Sequence, residues 1–240
     1  MVMQTSNWNE SKPRSSLVFI ADDDSQTREA IASLLKSIGV GTQLFSQAND
    51  LLIELEKLPP DSPGFPNCLI LDVRMPTMGG LEAQTRLAQA KVRIPIIFVT
   101  AYSDVIMSVH AMKAGAYDFL PKPFRGQTLL DTVVSALAYD EARRGLDCVQ
   151  RELNGRYASL TAREKAILTL IARGLLNKQI AWELGVSEIT VKVNRAQLMR
   201  KMKATSVAEL IKMEDRLSAG ESLSLHSAEP VGQSGAPSWM

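Results

Sequence analysis

Residues 68–76 carry the sequence CLILDVRMP, in which an apolar run ends at a single acid, Asp72. A similar pattern occurs at residues 17–24, LVFIADDD, where Asp22, Asp23 and Asp24 follow an apolar run. Short runs that are apolar almost throughout are typical of strands buried on both faces of a parallel sheet. Because the carboxyl ends of parallel strands meet at one edge, we expect these acids to lie close together.

Five apolar runs alternate with stretches of helical period before residue 143, which predicts five βα units and an α/β domain. The runs are residues 17–21, 40–45, 68–71, 94–99 and 117–120. Helices are predicted, for example, over residues 25–38 and 104–114, each followed by a glycine. The segment PPDSPGFPN, residues 59–67, is predicted to be a loop because prolines and glycine disrupt regular structure.

Two more polar residues stand at predicted strand ends: Thr100 in IPIIFVTAYSD and Lys122 in YDFLPKPF. A lysine supplies a point charge for a phosphoryl oxygen, and a threonine hydroxyl can hydrogen-bond another. Clustered carboxylates repel one another unless a cation lies between them, and oxygen ligands on short side chains favour Mg²⁺. The residue set therefore predicts a magnesium site and phosphoryl transfer onto Asp72.

The pattern from Leu160 to about residue 217 is wholly helical. Thr161 and Glu164 form a predicted capping box. Asn177 is predicted to cap a short helix, which Gly185 ends, and Ser187 to cap a longer helix over residues 188–202. Two helices joined by a tight glycine-containing turn are a helix-turn-helix.

The longer helix has a predicted buried stripe and a predicted DNA-facing side. The stripe consists of Val191, Leu198 and Met202. The solvent or major-groove side consists of Lys192, Val193, Arg195 and Ala196, with Lys178, Arg200, Lys201 and Lys203 placed to neutralise phosphates. Residues 156–217 contain twelve basic and six acidic residues, whereas residues 16–139 contain ten and thirteen, so the C-terminal half suits a polyanionic partner.

Between the two halves, a helix from about residue 124 to 140 is expected to continue through residue 156. Ala142, Leu146, Val149 and Leu153 recur on it at spacings of 4, 3 and 4, a narrow apolar seam that suits pairing with a second copy. The predicted organisation is a disordered leader (1–15), an α/β domain (16–140), a helical linker (141–157), an all-α domain (158–217) and a disordered tail (218–240).

The cysteines, the N-terminal residues and the lack of long apolar segments indicate the cellular compartment. Cys68 and Cys148, with His110 and His226 as the only histidines, have no metal-ligand spacing and form no disulfide framework. The first sixteen residues lack the apolar run of a signal peptide, and no segment approaches about 20 consecutive apolar residues. We expect a cytoplasmic protein.

The first half resembles a bacterial response-regulator receiver in ADDD, LDVRMPTMGGLE, VTAYSD and AMKAGAYDFLPKPF, in this order and spacing. This resemblance implies a flavodoxin-like, doubly wound (βα)5 receiver in which Asp72 accepts phosphate from a histidine kinase. It also implies that Asp22, Asp23 and the backbone carbonyl of Arg74 complete the Mg²⁺ shell. Thr100 would be the switch hydroxyl and Phe119 its aromatic partner, coupled to a distant α4-β5-α5 face.

The second half is similar to the LuxR-type four-helix domain in LTARE, GLLNKQIA and EITVKVNRAQLMRKM. Together the two halves resemble the NarL/FixJ regulators, which implies a phosphorylation-controlled transcription regulator that forms a homodimer on promoter DNA, with RNA polymerase as a further candidate partner. Two residues depart from the pattern of this subgroup: Ile106 replaces a common proline, and Asn194 replaces a histidine and can still hydrogen-bond phosphate or base.

Two alternatives remain open. A phosphatase of the haloacid dehalogenase type also uses an aspartate nucleophile with Mg²⁺, but that class has a second acid two residues further on, where this chain has Arg74. The other alternative is a receiver fold that serves only for docking and dimerisation, against which the presence of all five site residues argues.

Overall fold

The structure, a computed structural model, describes residues 16–57, 67–101 and 105–226. The chain divides into two compact units, residues 1–146 and 147–240, which we treat separately. The predicted leader, residues 59–66 of the predicted loop and the end of the chain from residue 227 lie outside the described residues. In the part that the structure covers, no helix has the length and apolar character needed to cross a membrane.

The first unit is a parallel five-stranded sheet with strand order β2-β1-β3-β4-β5. Its strands are β1 (Leu17–Ala21), β2 (Gly41–Phe45), β3 (Asn67–Asp72), β4 (Ile96–Thr100) and β5 (Asp118–Pro121). Its helices are α1 (Ser25–Ser37), α2 (Ala48–Lys57), α3 (Gly80–Gln89), α4 (Val105–Lys113) and α5 (Gly126–Ala158). All five predicted strands are present, with ends within two residues of the prediction. Because the strand order reverses between β1 and β3, their carboxyl ends open a crevice there.

Alternate residues of the strands enter two separate cores, since successive side chains point to opposite faces of a sheet. Helices α1 and α5 cover the face that carries Val18, Ile70 and Val99. Helices α2, α3 and α4 cover the face that carries Phe19 and Phe98, among others. The predicted burial on both faces holds for the three central strands.

The prediction of two-sided burial is wrong for the edge strands. No residue of β2 is fully buried, and Leu44 is 40% exposed. In β5 only Leu120 is buried. An edge strand has a neighbour on one side only, so its side chains are covered less completely.

Glycines end the helices α1 and α4 as predicted. Gly39 and Gly115 have φ angles of +79° and +91°, the left-handed conformation that follows many helices. Helix α4 begins at Val105, and the predicted start at Asp104 lies outside the described residues.

Helix α5 is continuous from Gly126 to Ala158, so the predicted extension through residue 156 is confirmed. Its apolar seam is not uniform: Leu146 and Val149 are 73% and 54% exposed, whereas Leu153 is buried in the core of the second unit. Pairing of the seam with a second copy stays a prediction, and Leu153 is already used elsewhere.

The second unit contains the end of α5 and four further helices. These are α6 (Ala162–Ala172), α7 (Asn177–Glu183), α8 (Glu188–Met202) and α9 (Val207–His226). They enclose one apolar core that includes Ile167, Ile180, Val191 and Leu210. The prediction of a disordered tail is wrong for residues 218–226, because α9 continues to His226. Good helix formers in this stretch, among them Ala219 and Glu221, outweigh a single glycine.

A buried carboxylate fixes α5 to the sheet at the amino ends of the strands. Asp140 is fully buried, and its Oδ2 accepts hydrogen bonds from the backbone N–H of Asn67, at 2.9 Å, and from Nε of Arg144, at 2.5 Å. Its Oδ1 accepts from Nη2 of Arg143, which also donates to the backbone carbonyl of Arg93. The first residue of β3, the segment before β4 and helix α5 are therefore joined through the side chains of Asp140 and Arg143.

The substitution Asp140→Asn should lower the free energy of unfolding by about 1–3 kcal/mol, because buried donors lose a charged acceptor. Glu82→Gln is the matched control, since it breaks an exposed arginine–carboxylate pair of helical spacing, Glu82–Arg86 at 2.9 Å. That pair should contribute less than about 0.5 kcal/mol. Urea unfolding of both variants measures the difference, and equal small effects would contradict a stabilising role for Asp140.

Candidate functional site

Three acids converge at the crevice between β1 and β3. Asp22 and Asp23 follow β1, and Asp72 ends β3; the two strands pair in register with Ala21 opposite Leu71. One carboxylate oxygen from each of the three acids lies within 4.8 Å of the other two. Asp22 is fully buried, Asp72 is 6% exposed and Asp23 is exposed. The arrangement can therefore present oxygen atoms both to a bound cation and to solvent.

Asp24, the third acid of the run, faces away from this cluster. It is the N-cap of α1, and its carboxylate accepts hydrogen bonds from the backbone N–H groups of Gln26 and Thr27, at 3.1 and 3.2 Å. The hydrogen bond from the Thr27 hydroxyl is the main cause that lowers the pKa of Asp24. Asp24 thus starts a helix, which agrees with its lesser predicted role.

Lys122 places a positive charge among the acids. Its Nζ lies 2.5 Å from Oδ2 of Asp22 and 3.7 Å from Oδ1 of Asp72. The backbone N–H of Lys122 donates to the carbonyl of Thr100 at 2.7 Å, which fixes the loop after β5 against the end of β4. Thr100 itself is 1% exposed, so its side chain is within the protein at the edge of the same crevice.

Of the two buried acids, Asp72 has the less compensated charge. Its Oδ1 is buried and accepts no hydrogen bond from the residues that the structure describes. Burial raises the pKa of Asp72 to about 6; the charges of Asp22 and Asp23 also raise it, whereas Lys122 opposes the shift. A buried carboxylate oxygen without a donor, beside two more carboxylates, fits a hard divalent cation such as Mg²⁺.

The loop after β3 approaches Asp72 closely, a feature that the sequence analysis did not identify. A Cβ atom on Gly80 would lie 2.4 Å from the backbone oxygen of Asp72, and the N–H of Gly80 donates to the carbonyl of Val73 at 2.9 Å. Only glycine leaves room for this approach. The adjacent glycines at residues 79–80 were the sequence feature that could have indicated this close approach.

The remaining predicted residues of the first unit lie near this crevice. Phe119 is half-buried, and its ring centroid is 6.4 Å from that of Phe98, which faces the same side of β4 as Thr100. Arg74 is exposed, directly after Val73 in the loop. The ligand role of its backbone carbonyl stays a prediction.

In the second unit, the predicted caps are mostly present. Thr161 and Glu164 form the capping box, with hydrogen bonds of 2.7 and 3.2 Å, and Ser187 caps α8 through the N–H of Thr190. Asn177 is not a cap, so that prediction is wrong: Leu176 holds the N-cap position of α7. The side chain of Gln179 accepts from the N–H of Leu176, which leaves Asn177 available for another contact.

The predicted stripe of α8 is confirmed, since Val191, Leu198 and Met202 are all fully buried. On the opposite side, Lys192, Val193, Ala196 and Arg200 are exposed, as is Lys178 on α7. Four of these residues lie on α8, and Lys178 lies on α7.

Two residues of the predicted DNA-facing side make contacts within the protein. Arg195 is half-buried and donates through Nη1 to Oδ1 of Asn177 at 2.5 Å. Asn194 donates through Nδ2 to the backbone carbonyl of Thr190 at 2.8 Å. The first bond joins α8 to the beginning of α7, and the second stays within α8.

Lys201 makes a contact within the protein, and its predicted phosphate contact stays a prediction. Its Nζ lies 2.6 Å from Oε2 of Glu164, which is 1% exposed, and donates to the carbonyl of Ser159 at 3.3 Å. Burial alone would raise the pKa of Glu164, but hydrogen bonds from Lys201 and Thr161 outweigh it and lower the pKa. Lys203, also predicted to face phosphates, lies 3.4 Å from Glu152.

The substitution Gly80→Ala should lower the free energy of unfolding by about 1–3 kcal/mol, because the new methyl group displaces the backbone at Asp72. Gly145→Ala is the control: it lies within α5 with open space around it and should gain about 0.5–1 kcal/mol. Urea unfolding compares the two variants. A neutral Gly80→Ala would contradict the tight approach.

Without divalent metal, Asp72→Asn should raise the free energy of unfolding by about 1–3 kcal/mol at pH 7, because the native Asp72 is ionised there at a cost to folding. The native pKa is above the unfolded value, so this gain should shrink as the pH falls from 6 to about 4, where both states bind the proton. Urea titrations between pH 4 and 7 in EDTA measure it. Asp131→Asn, an exposed acid on α5, is the control, and a gain that does not change with pH would contradict the interpretation.

Each of the two units matches a known protein family. Residues 18–134 match the response regulator receiver domain, and residues 158–214 match the bacterial regulatory proteins of the luxR family. The first match spans the acid crevice, and the second spans α7 and α8.

Known relatives match across most of the chain. Nodulation protein W of Bradyrhizobium diazoefficiens is 44% identical, over 84% of this chain and 86% of that protein. Response regulator protein TodT of Pseudomonas putida is 43% identical, over 85% and 87%. The transcriptional regulatory protein FixJ of B. diazoefficiens is 37% identical, over 83% and 94%.

Solved structures of response regulators also match most of this chain. Response regulator StyR is 43% identical, with a TM-score of 0.76 over 84% of this chain and 99% of that one. Full-length FixJ from B. japonicum is 35% identical, with a TM-score of 0.52 over 86% and 99%. The relatives are transcriptional regulators and not enzymes, which sets the phosphatase alternative aside. With a receiver domain and a LuxR-type DNA-binding domain in one chain, the protein belongs to the two-component response regulators of the NarL/FixJ family.

Proposed function

We propose that Asp72 is the phosphoacceptor of this response regulator and that its phosphorylation controls DNA binding by α8. One observation carries the proposal: the buried Oδ1 of Asp72 accepts no hydrogen bond within the described residues, yet lies 3.7 Å from the Nζ of Lys122. A receiver joined to a DNA-binding domain has a histidine kinase and promoter DNA as partners. We propose that it acts in the cytoplasm, where promoter DNA is found.

The transfer forms a bond between a carboxylate oxygen of Asp72 and phosphorus, and breaks the bond between phosphorus and the histidine nitrogen of the kinase. The imidazole leaves with the electron pair and takes up a proton from water. Lys122 neutralises a phosphoryl oxygen, and the Thr100 hydroxyl donates to another. Asp22, Asp23 and Asp72, together with the backbone carbonyl of Arg74, would hold Mg²⁺, which would offset the negative charge of the phosphoryl group.

Phosphorylation acts at a distance through Thr100 and Phe119. When the Thr100 hydroxyl moves toward the phosphoryl group, space opens beside β4 and the half-buried Phe119 ring turns inward. The face formed by α4, β5 and α5 changes shape as a result. Three apolar residues on α4 are exposed there, Ile106 (70%), Val109 (45%) and Met112 (45%), which suits a homodimer of the phosphorylated form.

DNA binding rests on the exposed side of α8. We propose that α8 enters the major groove and that Lys178 and Arg200 neutralise phosphates. The groove-facing residues are Lys192, Val193, Asn194, Arg195 and Ala196. Val193 is 53% exposed and can contact a thymine methyl group. Lys201 is left out of the contacts because its Nζ neutralises Glu164.

The decisive experiment measures the affinity of the full chain for DNA selected from a promoter pool, by fluorescence anisotropy with Mg²⁺. Wild type and Asp72→Asn are compared with and without a small-molecule phosphodonor. The donor should tighten binding by wild type about tenfold or more, because two linked copies bind two half-sites. Asp72→Asn should not respond.

The variant Lys192→Ala tests the DNA contact of α8 separately from the control by phosphorylation. It removes an exposed cation of α8 whose Nζ lies 3.2 Å from Glu188. This variant should bind more weakly in both conditions, with a salt slope reduced by about one, yet keep its response to the donor. If wild type binds DNA equally with and without the donor, the docking-only alternative is correct and phosphorylation of Asp72 is not the switch.

A further inference from the structure

Arg28 extends from α1 back toward the acid crevice, but it does not pair with an acid. Its Nη1 donates to the backbone carbonyl of Asp22 at 2.5 Å. Among the residues that the structure describes, no carboxylate forms an ion pair with this guanidinium. A half-buried cation that bonds a neutral carbonyl, although carboxylates are near, is placed to hold the backbone and not to compensate a charge.

The position of Arg28 in its helix is unfavourable for a cation. It is the fourth residue of α1, which begins at Ser25, and the beginning of a helix carries a partial positive charge. The backbone N–H of Arg28 donates to the carbonyl of Asp24 at 3.1 Å. Both the backbone and the side chain of Arg28 therefore hold the turn that joins β1 to α1.

Asp22 uses all of its polar groups within the protein. Its N–H donates to the carbonyl of Phe45 at 3.2 Å, and its own carbonyl accepts from Arg28. Its Oδ1 accepts from the N–H of Asp24 at 3.0 Å, and its Oδ2 accepts from Nζ of Lys122 at 2.5 Å. Asp22 is therefore held in one orientation before any ligand binds.

Asp23 is held in a different way. It is exposed, and its side chain makes no hydrogen bond or ion pair within the described parts of the chain. The direction of its Cα–Cβ bond depends on the two planar peptide groups that flank its Cα atom. The preceding group contains the carbonyl of Asp22, which Arg28 holds, and the following group contains the N–H of Asp24, which donates to Oδ1 of Asp22. Loss of the bond from Arg28 would release the first of these groups.

We propose that Arg28 is a positioning residue for the magnesium site: by holding the carbonyl of Asp22, it directs the carboxylate of Asp23 toward the ion. The inference rests on the proposed function, since it requires that these acids bind Mg²⁺. Arg28 itself contacts neither the ion nor the phosphoryl group. A ligand that is already oriented binds more tightly, because less freedom is lost when the ion arrives.

The test measures Mg²⁺ binding to the full chain by isothermal titration calorimetry at constant ionic strength. Arg28→Met, which removes the donors and keeps an apolar stem, should weaken Mg²⁺ binding about five- to tenfold. Arg28→Lys keeps a donor and should remain within about threefold of wild type. The Mg²⁺ concentration that half-saturates phosphorylation by a small-molecule phosphodonor should rise by the same factors.

The matched control is Arg86→Met, which removes the same charge from an exposed position of α3 and should bind Mg²⁺ within about twofold of wild type. The sign of the effect separates the two roles of Arg28. Removal of a nearby positive charge, by itself, would tighten the binding of a cation, whereas loss of positioning weakens it. Circular dichroism at the temperature of the titration checks that each variant is folded.

Three results would overturn the inference. The first is an Arg28→Met variant that binds Mg²⁺ as tightly as wild type or more tightly. The second is an equal loss of affinity in Arg28→Met and Arg28→Lys, which would indicate general damage to the domain. The third is a wild-type chain that does not bind Mg²⁺; this result would reject the magnesium site of the proposed function as well, and it appears before any variant is measured.

Discussion

The contact between Lys122 and Asp22 is the interaction on which the receiver site depends. It joins the end of β1 to the loop after β5, one hundred residues apart in the chain, at 2.5 Å. Without a cation, two buried carboxylates and a third beside them would repel one another. Because Lys122 is 2.5 Å from Asp22 but 3.7 Å from Asp72, its charge compensates the first acid more fully. Burial of Asp72, which Lys122 offsets only in part, raises the pKa of this acid, and its Oδ1 accepts no hydrogen bond within the described residues.

At the opposite end of β3, Asp140 is a buried carboxylate with a structural role. Asp140 is fully buried and both of its oxygens accept hydrogen bonds, from Asn67, Arg143 and Arg144, whereas Oδ1 of Asp72 accepts none within the described residues. A saturated buried carboxylate fixes neighbouring elements, whereas an unsaturated one keeps an electrostatic cost that a bound cation can relieve. Strand β3 therefore has a structural carboxylate, Asp140, beside its first residue and the proposed phosphoacceptor, Asp72, as its last residue.

Local pattern predicted most of this molecule. The five strands, the glycine-ended helices, the capping box at Thr161 and the buried stripe of α8 depend on residues close in sequence. Contacts between distant residues were not predicted: Lys201 pairs with Glu164, and Asn177 with Arg195. Composition likewise does not show that β2 lies at an edge of the sheet or that Gly80 touches Asp72, since both follow from the tertiary arrangement.

In the complex with DNA that we propose, the same distant contacts determine how α8 approaches the major groove. The guanidinium of Arg195 has five donors, and one is already given to Asn177, so the group approaches a base or phosphate from a position that α7 sets. Asn194 already donates to the carbonyl of Thr190, so a base contact through this N–H group requires that bond to break. Lys192 and Val193 are the more accessible neighbours, one a flexible charge and one a rigid apolar group. Together they favour a combination of phosphate contact and thymine-methyl contact, with the orientation of the helix fixed by the bond between Arg195 and Asn177.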